Sequence, residues 1–176
     1  MVWRLVVELC ATGTADEAFL LDLLNTTPVL DGVPTDALAD LATATPWMRG
    51  HGIRATHTEW TQLTAARAAL QAVIRGEQSP AVLQRFLDDV GLVPAAGDSG
   101  VRWRLDAGGA SGAARAVLAW DGLRQTSPGR LRPCANTECR LFLIDRSKPN
   151  TARWCSMAIC GNRMKARRHY QRTRGD

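Results

Sequence analysis

Four of the five cysteines fall in one pattern: Cys134-x4-Cys139, fifteen residues, then Cys155-x4-Cys160. Two close thiol pairs separated by a hairpin-sized gap constrain the fold of this stretch more than any other feature. They are the spacing of a four-cysteine zinc site, in which one tetrahedral ion gathers both pairs. Four thiolates leave no open coordination position, so such an ion is structural rather than catalytic. Two rivals are weaker. A pair of disulfides needs an oxidising compartment, for which nothing in the chain argues. A thiol redox centre usually has the tighter C-x-x-C, which is missing. Cys134, Cys139, Cys155 and Cys160 are therefore the expected ligands of one structural Zn(2+). Cys10 stands apart, in a strand-like run, and reads as a small apolar residue.

The residues between the pairs suggest a shape. "LFLID" has strand composition, "RSKPN" supplies a turn and "TARWC" can return as a second strand. A helix then runs from the second pair through Arg172. A knuckle, a hairpin and a helix whose start donates ligands describe a treble-clef-like module. Cysteines five positions apart lie ~140° apart on a regular helix and cannot share a face. Cys155 is thus expected just outside the helix, Ser156 at its N-cap and Cys160 in its first turns. A helix N-terminus also favours thiolate over thiol.

The net charge of +5 is unevenly divided. Residues 1–129 hold ten arginines against fourteen carboxylates, −4 net, whereas residues 130–176 hold twelve cations against three acids, +9 net. That asymmetry points to an interacting module, most often one for nucleic acid. Helical-wheel arithmetic at ~100° per residue divides the cations. Ile159, Ala166 and Tyr170 share the side expected to pack on Leu141, Leu143 or Trp154. Arg163 and Arg167 border that side and are expected to bond hairpin carbonyls, Asp145 or thiolates. Lys165, Arg168 and Arg172 point away as a phosphate-facing stripe, with Arg174 in the tail. The bland alternative, a solvated basic face, is disfavoured by how few acids are interleaved.

Upstream, hydrophobic spacing predicts a mainly helical domain with a small β component. The first ten residues alternate as a strand. "TADEAFLLDLLNT" reads as a helix with a Thr14–Glu17 capping box, and "TDALADLAT" as a short helix closed by Pro46. Trp47–Arg54 reads as loop. The most secure helix spans Thr56 to Gly76, with Thr56 as cap and Gly76 as stop. "SPAVLQRFLDDVG" reads as a helix capped by Ser79 and ended by Gly91, "VRWRL" as a strand with the first strand as its candidate partner, and residues 113–123 as a last helix. The domains are then 1–125, a linker at 126–133 and a zinc module at 134–176. Trp47, Trp60, Trp103 and Trp120 are expected mainly to pack, with a ligand pocket as the alternative. His51, His57 and Glu59 are the best polar group for an enzyme reading, and no third partner or nucleophile stands near them. Arg4 and Glu8 interrupt the apolar start, and no run is long enough to span a bilayer, so a cytoplasmic protein is expected.

"CGNR", Cys160 to Arg163, within "RWCSMAICGNRMKARRHYQR" and after "LRPCANTECRLFLIDRS", resembles the CGNR zinc-finger family. The resemblance covers about residues 130–172. "LLDLLNT", Leu20 to Thr26, looks more loosely like the opening of that family's N-terminal ABATE domain. The resemblance implies a bacterial, stress-related transcriptional regulator, with the four cysteines on the metal and the basic residues on DNA. The expectation is thus an α+β protein: a helical sensing or dimerising domain, for a small-molecule effector and as a homodimer, joined to a zinc-dependent DNA reader. RNA is the alternative partner, and a small-molecule enzyme with a purely structural finger is the alternative class.

Overall fold

The computed structural model describes residues 13–106 and 111–173. The strand expected in the first ten residues, Cys10 and Arg174 lie outside them. Helix α1, Thr14–Leu24, buries Phe19, Leu20, Leu23 and Leu24. Its cap is not the Thr14–Glu17 box. Gly13 takes the N-cap in extended conformation, and its carbonyl accepts from the N–H groups of Asp16 and Glu17 at 2.9 and 3.2 Å. The backbone thus supplies the acceptor the threonine hydroxyl was expected to supply.

A two-residue hairpin follows, β1 (Val29–Leu30) with β2 (Val33–Pro34). Asp31 and Gly32 turn it with φ of 51° and 81°, the left-handed pair that a tight two-residue hairpin requires. Helix α2 spans Leu41–Gly50, later than expected, with Pro46 inside it. Asp40 caps it, its carboxylate accepting from the Thr43 N–H at 2.8 Å. Pro46 lacks the N–H that would bond the Ala42 carbonyl, yet both residues face solvent, where water can serve that carbonyl. The expected loop at 47–50 is accordingly helical.

Helix α3, His57–Arg75, forms as its sequence predicts. The Thr56 hydroxyl accepts from the Glu59 N–H at 3.2 Å, and Gly76 ends the helix with φ 78°, a conformation that favours glycine. The next segment is a 3₁₀ helix, Pro80–Phe86, rather than a helix reaching Gly91. Gly91 instead opens β3, Gly91–Gly97, which pairs antiparallel with β4, Gly100–Asp106. "VRWRL" thus pairs with its own neighbour in sequence. Helix α4 covers Ser111–Thr126, longer at both ends than expected.

Helices α1, α3 and α4 pack on one another, with α2 and the 3₁₀ helix against them. Leu20, Leu24, Leu63, Leu70, Val117 and Leu123 lie at the centre of that core. Arg67 is buried in it and forks onto both Asp36 oxygens at 2.6 and 2.7 Å, pinning the chain after β2 to α3. Burial pushes the Asp36 carboxyl up, but the guanidinium and the Leu38 N–H outweigh it and hold it below the usual range.

The C-terminal module begins inside the expected linker. Strand β5, Leu131–Pro133, pairs antiparallel with β6, Phe142–Ile144. "TARWC" was expected to be the partner of β6 and forms no strand. The hairpin is not a bead on a string. Phe142 is 1% exposed and belongs to the helical core, with the Arg75 guanidinium 4.8 Å from its ring centre. Asn25, just past α1, grips the Phe142 backbone twice: its amide donates to the carbonyl at 3.2 Å and its oxygen accepts the N–H at 2.7 Å. The architecture is α+β: a helical domain with small antiparallel hairpins, and a small cysteine-bearing module docked through its β5–β6 hairpin. No helix among the described residues is long and apolar enough to cross a membrane.

Candidate metal centre

Three backbone segments converge to carry the thiols. Cys134 follows β5, and its N–H donates to the Leu141 carbonyl at 2.8 Å, which closes a knuckle around Cys139. Within that knuckle the Cys139 N–H donates to the Asn136 carbonyl at 2.8 Å. The returning chain is tied in where Ala135 donates to the Arg153 carbonyl at 2.8 Å, and this brings Cys155 alongside. Cys160 lies in a π turn, Met157–Gly161, that leads into helix α5, Asn162–Thr173. Ser156 caps that turn as expected, its hydroxyl accepting from Ile159 at 3.3 Å. The wider turn is packed tightly: a Cβ on buried Gly161 would come within 2.9 Å of the Met157 thioether.

The four sulfurs all lie within 4.8 Å of one another, with Cys139–Cys155 and Cys155–Cys160 at 3.7 Å. A tetrahedron with Zn–S bonds of ~2.3 Å has edges of about 3.8 Å, so the spacing suits one zinc. It does not suit disulfides, whose sulfurs stand ~2.05 Å apart, and all four thiols are free. The donor set is all sulfur, two of the four cysteines are buried and the other two partly so. Cys134, Cys139, Cys155 and Cys160 are the residues that could hold the ion.

The thiols perturb one another. Burial pushes the Cys139 thiol up to about 11. Burial and the neighbouring sulfurs raise Cys155 further. At Cys160 burial again acts upward, but hydrogen bonds from Asn136 and the other thiols win and lower it. A divalent cation favours thiolate over thiol and binds with release of protons. Asn136 is the residue sequence reading missed here. It is fully buried, its amide donates to the Cys160 sulfur at 3.6 Å, and its carbonyl oxygen accepts from the Glu138 N–H. An asparagine two places after a cysteine carries no spacing signal; only burial beside the sulfur reveals it.

Residues 130–173 match the family model of the CGNR zinc finger. The C-terminal module is a CGNR zinc finger. One structural zinc is its cofactor, on the combined strength of that match and the four-sulfur cluster. No curated protein matches the chain.

The cations of the CGNR zinc finger divide differently from expectation. The hairpin arginines do the structural work: Arg130 donates to the carbonyls of Asp145 and Ser147 at 2.8 and 2.7 Å, and Arg132 pairs with buried Asp145 at 3.2 Å. Asp145 also accepts from the Ser147 and Ala152 N–H groups; the Ser147 hydroxyl first, then these N–H groups and Arg132, hold its carboxyl below the usual range against burial. Arg146 reaches back to Glu17 of α1 at 2.6 Å, a second tie to the helical domain. Arg167 pairs with Glu138 of the knuckle, and Arg163 adds to the positive field that lowers that carboxyl. Lys165 and Arg163 are exposed. The side chains of Arg168 and Arg172 lie outside the description.

The predicted rotation of α5 needs correction. Ile159, Ala166 and Tyr170, expected against the hairpin, are exposed, and the covered positions among the described side chains are Cys160, Gly161 and Met164. The cause is the sulfur: Cys160 must face the cluster, and that fixes which side of the helix turns inward.

In the helical domain the expected polar group does not share one partner. His51 lies tilted against Trp47 with ring centres 4.2 Å apart, and burial lowers its imidazole despite Asp22 at 3.7 Å. His57 lies edge-on to Trp60, and buried Glu59 accepts from the Gly112 N–H at 3.3 Å. The tryptophans do not form one pocket either. Trp60 donates to the Leu38 carbonyl at 3.0 Å, Trp103 is exposed on β4, and Trp120 lines two shallow clefts of about 180 and 170 Å³.

Proposed function

We propose that this protein is a zinc-dependent, DNA-binding transcriptional regulator whose treble-clef-like finger presents α5 to the duplex. The carrying observation is the placement of charge. A helix without a single acidic residue projects from the sulfur cluster, and its main packing partner is the π turn before it. The zinc would hold the start of that helix through Cys155 and Cys160, and Lys165, Arg168 and Arg172, with Arg163, Arg167 and Arg174, supply the cationic surface. Affinity then comes mainly from counterion release on the phosphate backbone.

The helical domain is read as the ABATE-like partner that senses a small-molecule effector or pairs two chains, and the protein as a cytoplasmic non-enzyme. The docking of Phe142 supports a regulatory coupling, because a change in the α1–α3 core bears directly on the strand that carries the finger.

The test is a salt titration of the zinc-loaded full chain on random duplex DNA, with structured RNA as competitor at one ionic strength. Four or five phosphate contacts imply a slope of about −4 in log K against log salt. A flat slope, or equal binding to an uncharged polymer, overturns the reading. Preference for the RNA moves the function to RNA.

A further inference from the structure

Resting on the DNA-binding reading, we infer that the outward face of α5, centred on Arg163 and Ala166 with Ile159 at its start, reads base edges in the major groove. Lys165, turned to the other side of the helix, adds attraction to the phosphates and reads no base. Three of the exposed large hydrophobic side chains belong to this finger, and all lie on α5 or its leading turn: Met157 at 55%, Ile159 at 62% and Tyr170 at 69%. Ile159, Arg163, Ala166 and Tyr170 recur at steps of four, three and four and form one stripe. It lies opposite the covered positions Cys160, Gly161 and Met164. The stripe therefore faces away from the positions that α5 and its leading turn cover.

The chemistry of that face fits a groove better than a phosphate. A groove has anionic walls and a floor of base edges, with guanine acceptors and thymine methyl groups. The face has the matching chemistry: apolar Ile159 and Ala166, with one arginine along its middle. Small Ala166 at the centre lets the backbone approach closely. Arg163 is exposed and can fork onto a guanine, whereas Arg167 is drawn aside by Glu138. Twelve residues make a rod of about 18 Å, long enough to lie across several base pairs. A protein partner for so cationic a helix would need facing acids, and it would leave the apolar centre without a reason.

The experiment is selection of preferred sites from a randomised duplex library by the zinc-loaded full chain, followed by affinity measurements on the selected and scrambled duplexes. Arg163→Ala should erase the preference at one position, about tenfold or more, which is the discrimination of a forked arginine–guanine contact. Ala166→Leu keeps helix propensity but adds bulk at the centre of the face. It should lose about tenfold on the selected site and little on scrambled DNA. Lys165→Ala should weaken both duplexes alike and reduce the salt slope by about one. Each variant is checked for one zinc per chain, and Ala166→Leu carries the test if Arg163→Ala loses metal. Wild-type binding without any preference, or a preference that survives both face variants, overturns the proposal while leaving DNA binding intact. No binding to any duplex defeats the broader reading as well. A concentration-dependent dimer broken by Ala166→Leu assigns the face to a second copy instead.

Discussion

Helix α3 and the π turn that leads into α5 are both capped by a hydroxyl at the N-terminal end, yet different physics holds α3 and α5. Helix α3 places Leu63, Ala66, Leu70 and Val73 in a hydrocarbon core shared with α1 and α4. Its hydrogen bonds form because burying that face is favourable, and the caps only trim its ends. Helix α5 follows buried Cys160 and Gly161, and among its described side chains Met164 alone is partly covered. Short helices without tertiary packing are marginal in water, so its order has to come from the sulfur cluster. The contrast teaches that one chain can split its stability between oil and metal. The surface with the least packing is then free to meet a partner.

Metal removal should break that comparison most severely. Structural zinc binding in finger peptides is worth on the order of 10–16 kcal/mol, and it is folding energy. Strong chelator, or Cys160→Ser, should abolish the stoichiometric zinc and the amide protection of Asn162–Thr173, while α1, α3 and α4 stay protected in hydrogen exchange. Loss should also be graded within the finger. Phe142–Ile144 should outlast α5 because Phe142 belongs to the helical core. Uniform protection after chelation would show that zinc does not hold α5.

Phe142→Ala comes next, since it cuts the joint between the two regions. A fully buried phenylalanine costs about 3–5 kcal/mol when truncated. Denaturant unfolding should shift to lower midpoint and separate into two transitions, with zinc content unchanged. A single, unshifted transition would mean the finger is not coupled to the core.

The finest comparison uses the two caps. Thr56→Ala and Ser156→Ala each remove one side-chain acceptor worth ~1 kcal/mol. The first should lower the unfolding midpoint of the helical domain and spare metal affinity. The second should weaken zinc binding in a competition with a chromophoric chelator and spare the helical domain.

Local chemistry made much of this legible before any coordinates. Thr56, Gly76 and Ser156 act as their residue types suggest, and the cysteine spacing found the cluster. The hairpin at Asp31–Gly32 carries the Asp-Gly signal of a tight turn, whereas Asp98–Ser99, with neither residue at positive φ, carries none. Pro46 misled, because a proline ends a helix only where its missing donor cannot be replaced by water. The ranges of α2 and the 3₁₀ helix depended on neighbours, and no periodicity could supply those.

The sequence by itself determined that four sulfurs would meet around one ion, that α3 would be a helix and that positive charge would gather beside the metal. Each follows from residue type at short range. Only the tertiary structure decided that Phe142 enters the helical core, that Asn25 grips it across 117 positions of chain, and which side of α5 faces outward. Burial is a property of pairs of distant surfaces: a helix alone offers every face equally, and here the direction of one sulfur chose among them.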